Sequence, residues 1–142
     1  MDEVQARRRA TQLVEESQIC MLGTVDPEGA PQIKAVIRAD HVGMAEVWIS
    51  TNTSSEHVAQ LAREPRACLY FGQWESEPWR GLTLGGRIEI LRDRVSRERL
   101  WSDGCERYYP KGIDDPDYTV LRFTAEWGKY YESLTKTRFE LP

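Results

Sequence analysis

Apolar and polar positions change period several times along the chain, and each change marks an element. Val4, Ala10, Leu13 and Val14 recur among charged residues at helical spacing, which predicts a short helix over roughly Val4 to Glu16. Two β-rich runs follow, Ile19 to Val25 and Gln32 to Arg38. The stretch Asp26-Pro27-Glu28-Gly29-Ala30-Pro31 between them carries the residues of a tight reversal, so the pair reads as a hairpin. Ala45 to Thr51 supplies β-branched and aromatic bulk for a third strand. The period then shifts: Val58, Leu61 and Ala62 suit a helix over Ser54 to Glu64, stopped by Pro65 and started by a capping box of Thr53 with Glu56.

Arg66 to Gly72 is apolar enough for a strand covered on both faces. In the fifth strand Leu82, Leu84, Gly86, Ile88 and Ile90 alternate with Thr83, Gly85, Arg87 and Glu89, one face buried and one polar. Adjacent glycines inside it, Gly85 and Gly86, signal a bulge, a sharp bend or a close approach. Asp93 to Asp103 predicts a third helix with Val95 and Leu100 or Trp101 turned inward, and Tyr118 to Ala125 a sixth strand; Trp127 to Phe139 carries no clear period. The order implies a mainly β fold, a six-stranded antiparallel split barrel with peripheral helices, because closure removes exposed strand edges. At 142 residues the chain has room for one such domain, 1–142, and no second.

Composition narrows the partners. With 19 basic and 23 acidic residues the net charge is −4, so no global positive field favours nucleic acid or an anionic membrane. The run Arg7-Arg8-Arg9 reads as a solvated helix face. Three cysteines, Cys20, Cys68 and Cys105, are widely spaced and form no metal-ligand or disulfide pattern. Cys20 and Cys68 sit in apolar runs and read as core. The start Met1-Asp2-Glu3 lacks an apolar leader and no run reaches the length of a membrane span, so a cytoplasmic location is expected.

The strongest candidate chemistry lies at Ser50-Thr51-Asn52-Thr53-Ser54-Ser55-Glu56-His57, where hydroxyls, an imidazole and free backbone N–H groups meet a helix N-terminus, a favourable place for a phosphate. The ordinary reading is a helix cap, and the Glu56 carboxylate opposes an anion. Lys34 and Val36 share one face of the second strand. Trp48, Trp74, Trp79 and Trp127 read as core or interface anchors, and His41, in an expected loop without companion ligands, as a surface residue. No metal site and no catalytic acid, base or nucleophile stands out.

This turn, Thr51-Asn52 with Ser55, His57 and Glu64-Pro65-Arg66, resembles the one that pyridoxamine 5′-phosphate oxidase-like proteins use for the phosphate of FMN. Further along, the Gly-containing fifth strand, a helix bearing Trp101, the loop Gly112-Ile113-Asp114-Asp115-Pro116-Asp117 and the pair Tyr130-Tyr131 resemble the general stress protein 26 group. The resemblance implies a homodimer with FMN at the subunit interface and flavin-dependent oxidoreductase activity on a small-molecule donor or acceptor. It implies cofactor contacts from Lys34, Val36, Ser50, Thr51, Asn52, Ser55, His57, Trp79 and Tyr131. His57 stands where many members have lysine, so its charge beside a phosphate is expected to depend on pH, with the imidazolium favoured. The alternatives are a non-catalytic flavin carrier or sensor, or the same barrel holding a deazaflavin or haem.

Overall fold

The computed structural model describes residues 1–142, and the residue patterns explain most of its elements. Helix α1 (Glu3–Glu16) is closed at its start by an Asp2/Gln5 capping box and buries Ala6, Ala10, Leu13 and Val14; Val4 lies on its exposed side. Strands β1 (Ile19–Val25) and β2 (Pro31–Ile37) form the expected hairpin. A three-residue strand β3 (Asp40–Val42), which includes His41, pairs with β4 (Glu46–Asn52). Helix α2 (Glu56–Arg63) follows, then β5 (Arg66–Gln73), β6 (Arg80–Leu91), α3 (Arg94–Leu100), two short 3₁₀ turns, β7 (Tyr118–Glu132) and β8 (Thr135–Glu140).

All eight strands join one antiparallel sheet in the order β2-β1-β5-β6-β7-β4-β3, with β8 also paired to β7. The sheet curls into a split barrel. Eight strands replace the expected six because β3 is too short to show a period, and because β7 runs through Trp127 into a hairpin whose tip, Ser133 and Leu134, takes positive φ without glycine. The split has a local cause. β7 pairs with β4 along its first half, up to Thr124, and with β8 along its second, from Trp127. Between the halves Glu126 is the extra residue of a bulge opposite Gly85 and Gly86. A Cβ on Gly86 would run into the Thr124 carbonyl, so only glycine lets the two strands stay paired through that bend.

The main core fills the barrel with Leu22, Ile49, Leu69, Phe71, Leu82, Leu84, Phe123, Tyr130 and Phe139, and α1 covers one opening. A second cluster, Trp48, Leu100, Tyr118 and Val120, packs α3 and the segment after it onto the other face of β4 and β7. Two expected burials, Cys68 and Val95, fail for the same reason, that strand register and helix phase outrank local hydrophobicity. On β5 Leu69 and Phe71 take the core side, which leaves Cys68 exposed and the strand open on one face. On α3 Arg97 and Leu100 face inward and Val95 is solvent-exposed. Cys20 is core, and burial pushes its thiol up to about 12. No helix is long and apolar enough to cross a membrane.

Candidate functional site

Three elements, β2 and the consecutive pair β4 and α2, converge on His57. The ring is buried, 5% exposed, on the inner face of the first turn of α2. Its Nε2 lies 2.9 Å from the Thr51 hydroxyl of β4 and 3.3 Å from the Ser55 hydroxyl; its Nδ1 lies 3.4 Å from Nζ of Lys34 on β2. A lysine ammonium only donates, so Nδ1 is the acceptor, and Nε2 carries the ring proton and donates to Thr51. The Ser55 hydroxyl donates to the carbonyl of Asn52 at 2.8 Å. Burial, followed by the Lys34 charge, pulls the His57 pKa down to about 4. Without a bound anion His57 is therefore held neutral, and the cationic side chain beside it is Lys34.

The capping box expected of Thr53 and Glu56 is also absent. The cap residue is Ser55, whose side chain accepts no bond from the helix backbone N–H groups, and Thr53 bonds instead to the distant Pro116–Asp117 segment. The first-turn N–H groups of α2 therefore have no side-chain cap, which leaves them open to an anion.

Lys34 stands between two openings. On one side is a polar pocket of about 340 Å³ that includes Thr24, Gln32, Ser55, Glu56, His57 and Gln60. On the other is a groove of about 690 Å³ lined by Val36, Ser50, Thr51 and Asn52, with Trp101, Cys105, Tyr108 and Tyr109 from the segment after α3. The groove contains three cationic side chains, Lys34, Arg38 and Arg99, and no carboxylate, in a chain that is acidic overall. Arg99 is paired with Asp40 at 2.9 Å and stacked on Trp48, while Arg38 donates to the carbonyls of Ser17 and Glu15. The groove is large enough for a cofactor, and its mix of apolar floor and few polar groups is that of a binding site.

Seven of the nine residues singled out in the sequence, Lys34, Val36, Ser50, Thr51, Asn52, Ser55 and His57, are gathered here. Trp79 and Tyr131 are not: they line a separate depression with Glu77, Pro78, Ser133 and Leu134. The sequence reading passed over Arg38, although strand alternation from Lys34 through Val36 points to it. It also passed over Tyr108 and Tyr109, which no local signal places near β2.

A curled antiparallel sheet, split at its longest strand and opening on an acid-free groove beside a buried histidine, defines a split-barrel protein with a cleft between β2, β4 and the segment after α3. The family model for pyridoxamine 5′-phosphate oxidase matches residues 6–132, and the chain belongs to that family. A crystal structure of a Clostridium acetobutylicum protein related to general stress protein 26 of B. subtilis (pyridoxinephosphate oxidase family) is 50% identical, with a TM-score of 0.85 over 99% of this chain and 97% of that one. The pyridoxine/pyridoxamine 5′-phosphate oxidase of Thermobifida fusca (strain YX) is 35% identical over 80 residues, 55% of this chain and 32% of that protein, so the match spans about a third of its length. The heme binding protein of Mycobacterium smegmatis shares the fold at 21% identity and a TM-score of 0.79, over 95% of this chain and 57% of that one.

A histidine held neutral makes stability depend on pH. Its folded pKa of about 4 lies below its ordinary value, so the unfolded chain binds the proton more readily. Stability is full above the ordinary histidine pKa and is lost as pH falls toward the folded value. Unfolding by urea should show a loss of about 1–2 kcal/mol between about pH 7 and pH 5, above the range where carboxylates titrate. His57→Gln should flatten that slope; an equal slope in the variant would place its origin elsewhere.

Proposed function

We propose that this chain binds FMN, with Lys34 as the charged partner of the phosphate, and serves as a flavin-dependent oxidoreductase acting on a small-molecule donor or acceptor. One observation carries the reading: the ammonium of Lys34 is set by the buried, neutral His57 beside the uncapped start of α2 and at the mouth of an acid-free groove. The residues fit such a cofactor. Lys34, the Ser55 hydroxyl and the first-turn N–H groups of α2 suit a phosphate. Ser50, Thr51 and Asn52 offer hydroxyl and amide groups along the groove, and the Val36 side chain gives a planar ring system an apolar floor.

FMN, where bound, supplies the hydride and electron transfer. The chain's own part is to bind and orient. His57 holds Lys34 without adding a second charge; the Lys34 ammonium fixes the ring's tautomer, and the Thr51 hydroxyl accepts the Nε2 proton. Trp101 and Tyr109 add aromatic surface to the groove lining. The fold likeness to the heme binding protein raises haem as the rival cofactor. Both ring nitrogens of His57 are engaged, so the buried histidine offers haem no axial nitrogen. An absorption spectrum of the purified protein separates flavin, deazaflavin and haem, and turnover with reduced nicotinamide separates an enzyme from a carrier.

A homodimer belongs to the same proposal. Strand register puts Ile19, Met21, Ile33, Ala35 and Ile37 on one face of the β1–β2 hairpin, and Ile33 is 74% and Ile37 59% exposed. The face continues through Met21 and Gly23 to Tyr70 and Cys68 on β5. A contiguous apolar patch of this kind marks an interface, and a second copy of the chain is the occupant we assign. Such pairing would bring Trp79 or Tyr131 of one protomer within reach of the other's groove. The same reading keeps the cytoplasmic location, with no nucleic-acid or membrane partner.

Two outcomes are expected. Titration by flavin fluorescence should show Lys34→Ala weakening FMN by roughly ten- to hundredfold while riboflavin changes little, because only FMN carries the phosphate. Equal losses for both ligands would remove Lys34 from the phosphate site. Sedimentation should give a dimer for the wild type and a monomer with weakened FMN binding for Ile33→Glu. A wild-type monomer that binds one FMN per chain would contradict the shared-site arrangement.

A further inference from the structure

The loop Gly112-Ile113-Asp114-Asp115-Pro116-Asp117 contributes no side chain to the groove or the polar pocket, yet its hydrogen bonds end on the turn that leads into α2. It is closed on itself: the buried Asp115 carboxylate accepts the N–H groups of Lys111 at 3.2 Å and Asp117 at 3.0 Å. It is also tied to α3. The buried guanidinium of Arg97 donates to the carbonyls of Ile113 at 2.7 Å and Asp115 at 3.1 Å, and to that of Arg92 at 2.9 Å. A loop held this way is a rigid support.

Its far end meets residues 53 and 54. The Thr53 hydroxyl donates to the Pro116 carbonyl at 3.0 Å, and the Thr53 N–H to the Asp117 carbonyl at 2.7 Å. The Ser54 N–H donates to Oδ1 of Asp117 at 2.9 Å. The first two bonds end on main-chain carbonyls, which any residues at 116 and 117 would present. Only the third depends on a particular side chain of the loop. Residues 53 and 54 join Thr51, which holds one nitrogen of His57, to Ser55 and His57 itself, so the position of Ser54 sets the spacing of that network.

We propose that Asp117 is a positioning residue of the phosphate turn: by holding the Ser54 N–H it places the Ser55 hydroxyl and the His57–Lys34 pair, and so sets the preference for a phosphorylated flavin. The assignment rests on the FMN reading above. It predicts an effect confined to the phosphate end of the ligand, since Asp117 lines no part of the groove.

The test compares FMN and riboflavin affinities, by flavin fluorescence, for the full-length wild type, Asp117→Ala and Asp117→Asn, together with the thermal midpoint of each apo-protein. Asp117→Ala should weaken FMN by about tenfold and leave riboflavin within about twofold, as expected when one charge-assisted bond to the turn is lost. Asp117→Asn keeps an acceptor oxygen for the Ser54 N–H and should retain the wild-type ratio. An unchanged ratio in Asp117→Ala, a parallel loss of both ligands with a lowered midpoint, or an Asp117→Asn that behaves like the alanine variant would each overturn the assignment. A wild-type ratio near one would instead overturn the phosphate reading, and the role of Asp117 with it.

Discussion

A buried imidazole must find both a donor and an acceptor, and in this protein that requirement joins β2, β4 and α2 at one point. Thr51 and Lys34 satisfy the two nitrogens of His57 from different strands, and no buried side-chain polar atom in the chain lacks a partner. Burial, and after it the neighbouring Lys34 charge, costs the ring its own charge. The site therefore holds one fixed positive charge rather than two, placed by a group that is not itself charged. Loss of either partner would leave a buried polar group unpaired, a cost of about 1–3 kcal/mol.

The rest of the architecture sets the space around that charge. Gly86 permits the bend in β7 that sends its two halves to different partners, and the split leaves β2 without a neighbour beyond β1. Beside it lie the aromatic residues after α3, anchored by the edge-on contact of Trp101 and the tilted contact of Tyr109 with the Tyr118 ring. Burial pushes the Tyr118 hydroxyl up to about 12, so it stays protonated and donates to the Arg97 carbonyl. Lys34, Val36 and Ile37 of β2 thus line the groove, while Ile33 lies exposed further along the strand.

Much of this was legible in the residues. Alternation in Leu82 to Ile90 and the Pro-Gly turn at 26–31 pointed to the strand and the hairpin that form, the paired glycines of β6 to a bulge, a bend or a close approach, of which the bulge is found, and the Thr51 to His57 turn lies beside the groove. What stayed hidden were long-range effects. Whether Ser55 or Thr53 caps α2 depends on a loop some 60 residues downstream that claims Thr53 and Ser54. Whether a histidine is charged depends on what buries it, and the Lys34 contact spans 23 positions. Cys68 and Val95 were misplaced because local hydrophobicity was read where register and helix phase decide. The loop ending in Asp117 was recognised as a pattern, but its work lies in bonds that no spacing rule shows.

The central claim is that His57 is a neutral positioning group and Lys34 the cation. Nitrogen chemical shifts of the His57 ring, followed by NMR from about pH 8 to about pH 5, test it most directly, because an ordinary histidine changes charge within that range. The account predicts a ring protonated at Nε2 and bare at Nδ1 throughout. An imidazolium appearing with a midpoint near the ordinary histidine value would contradict it.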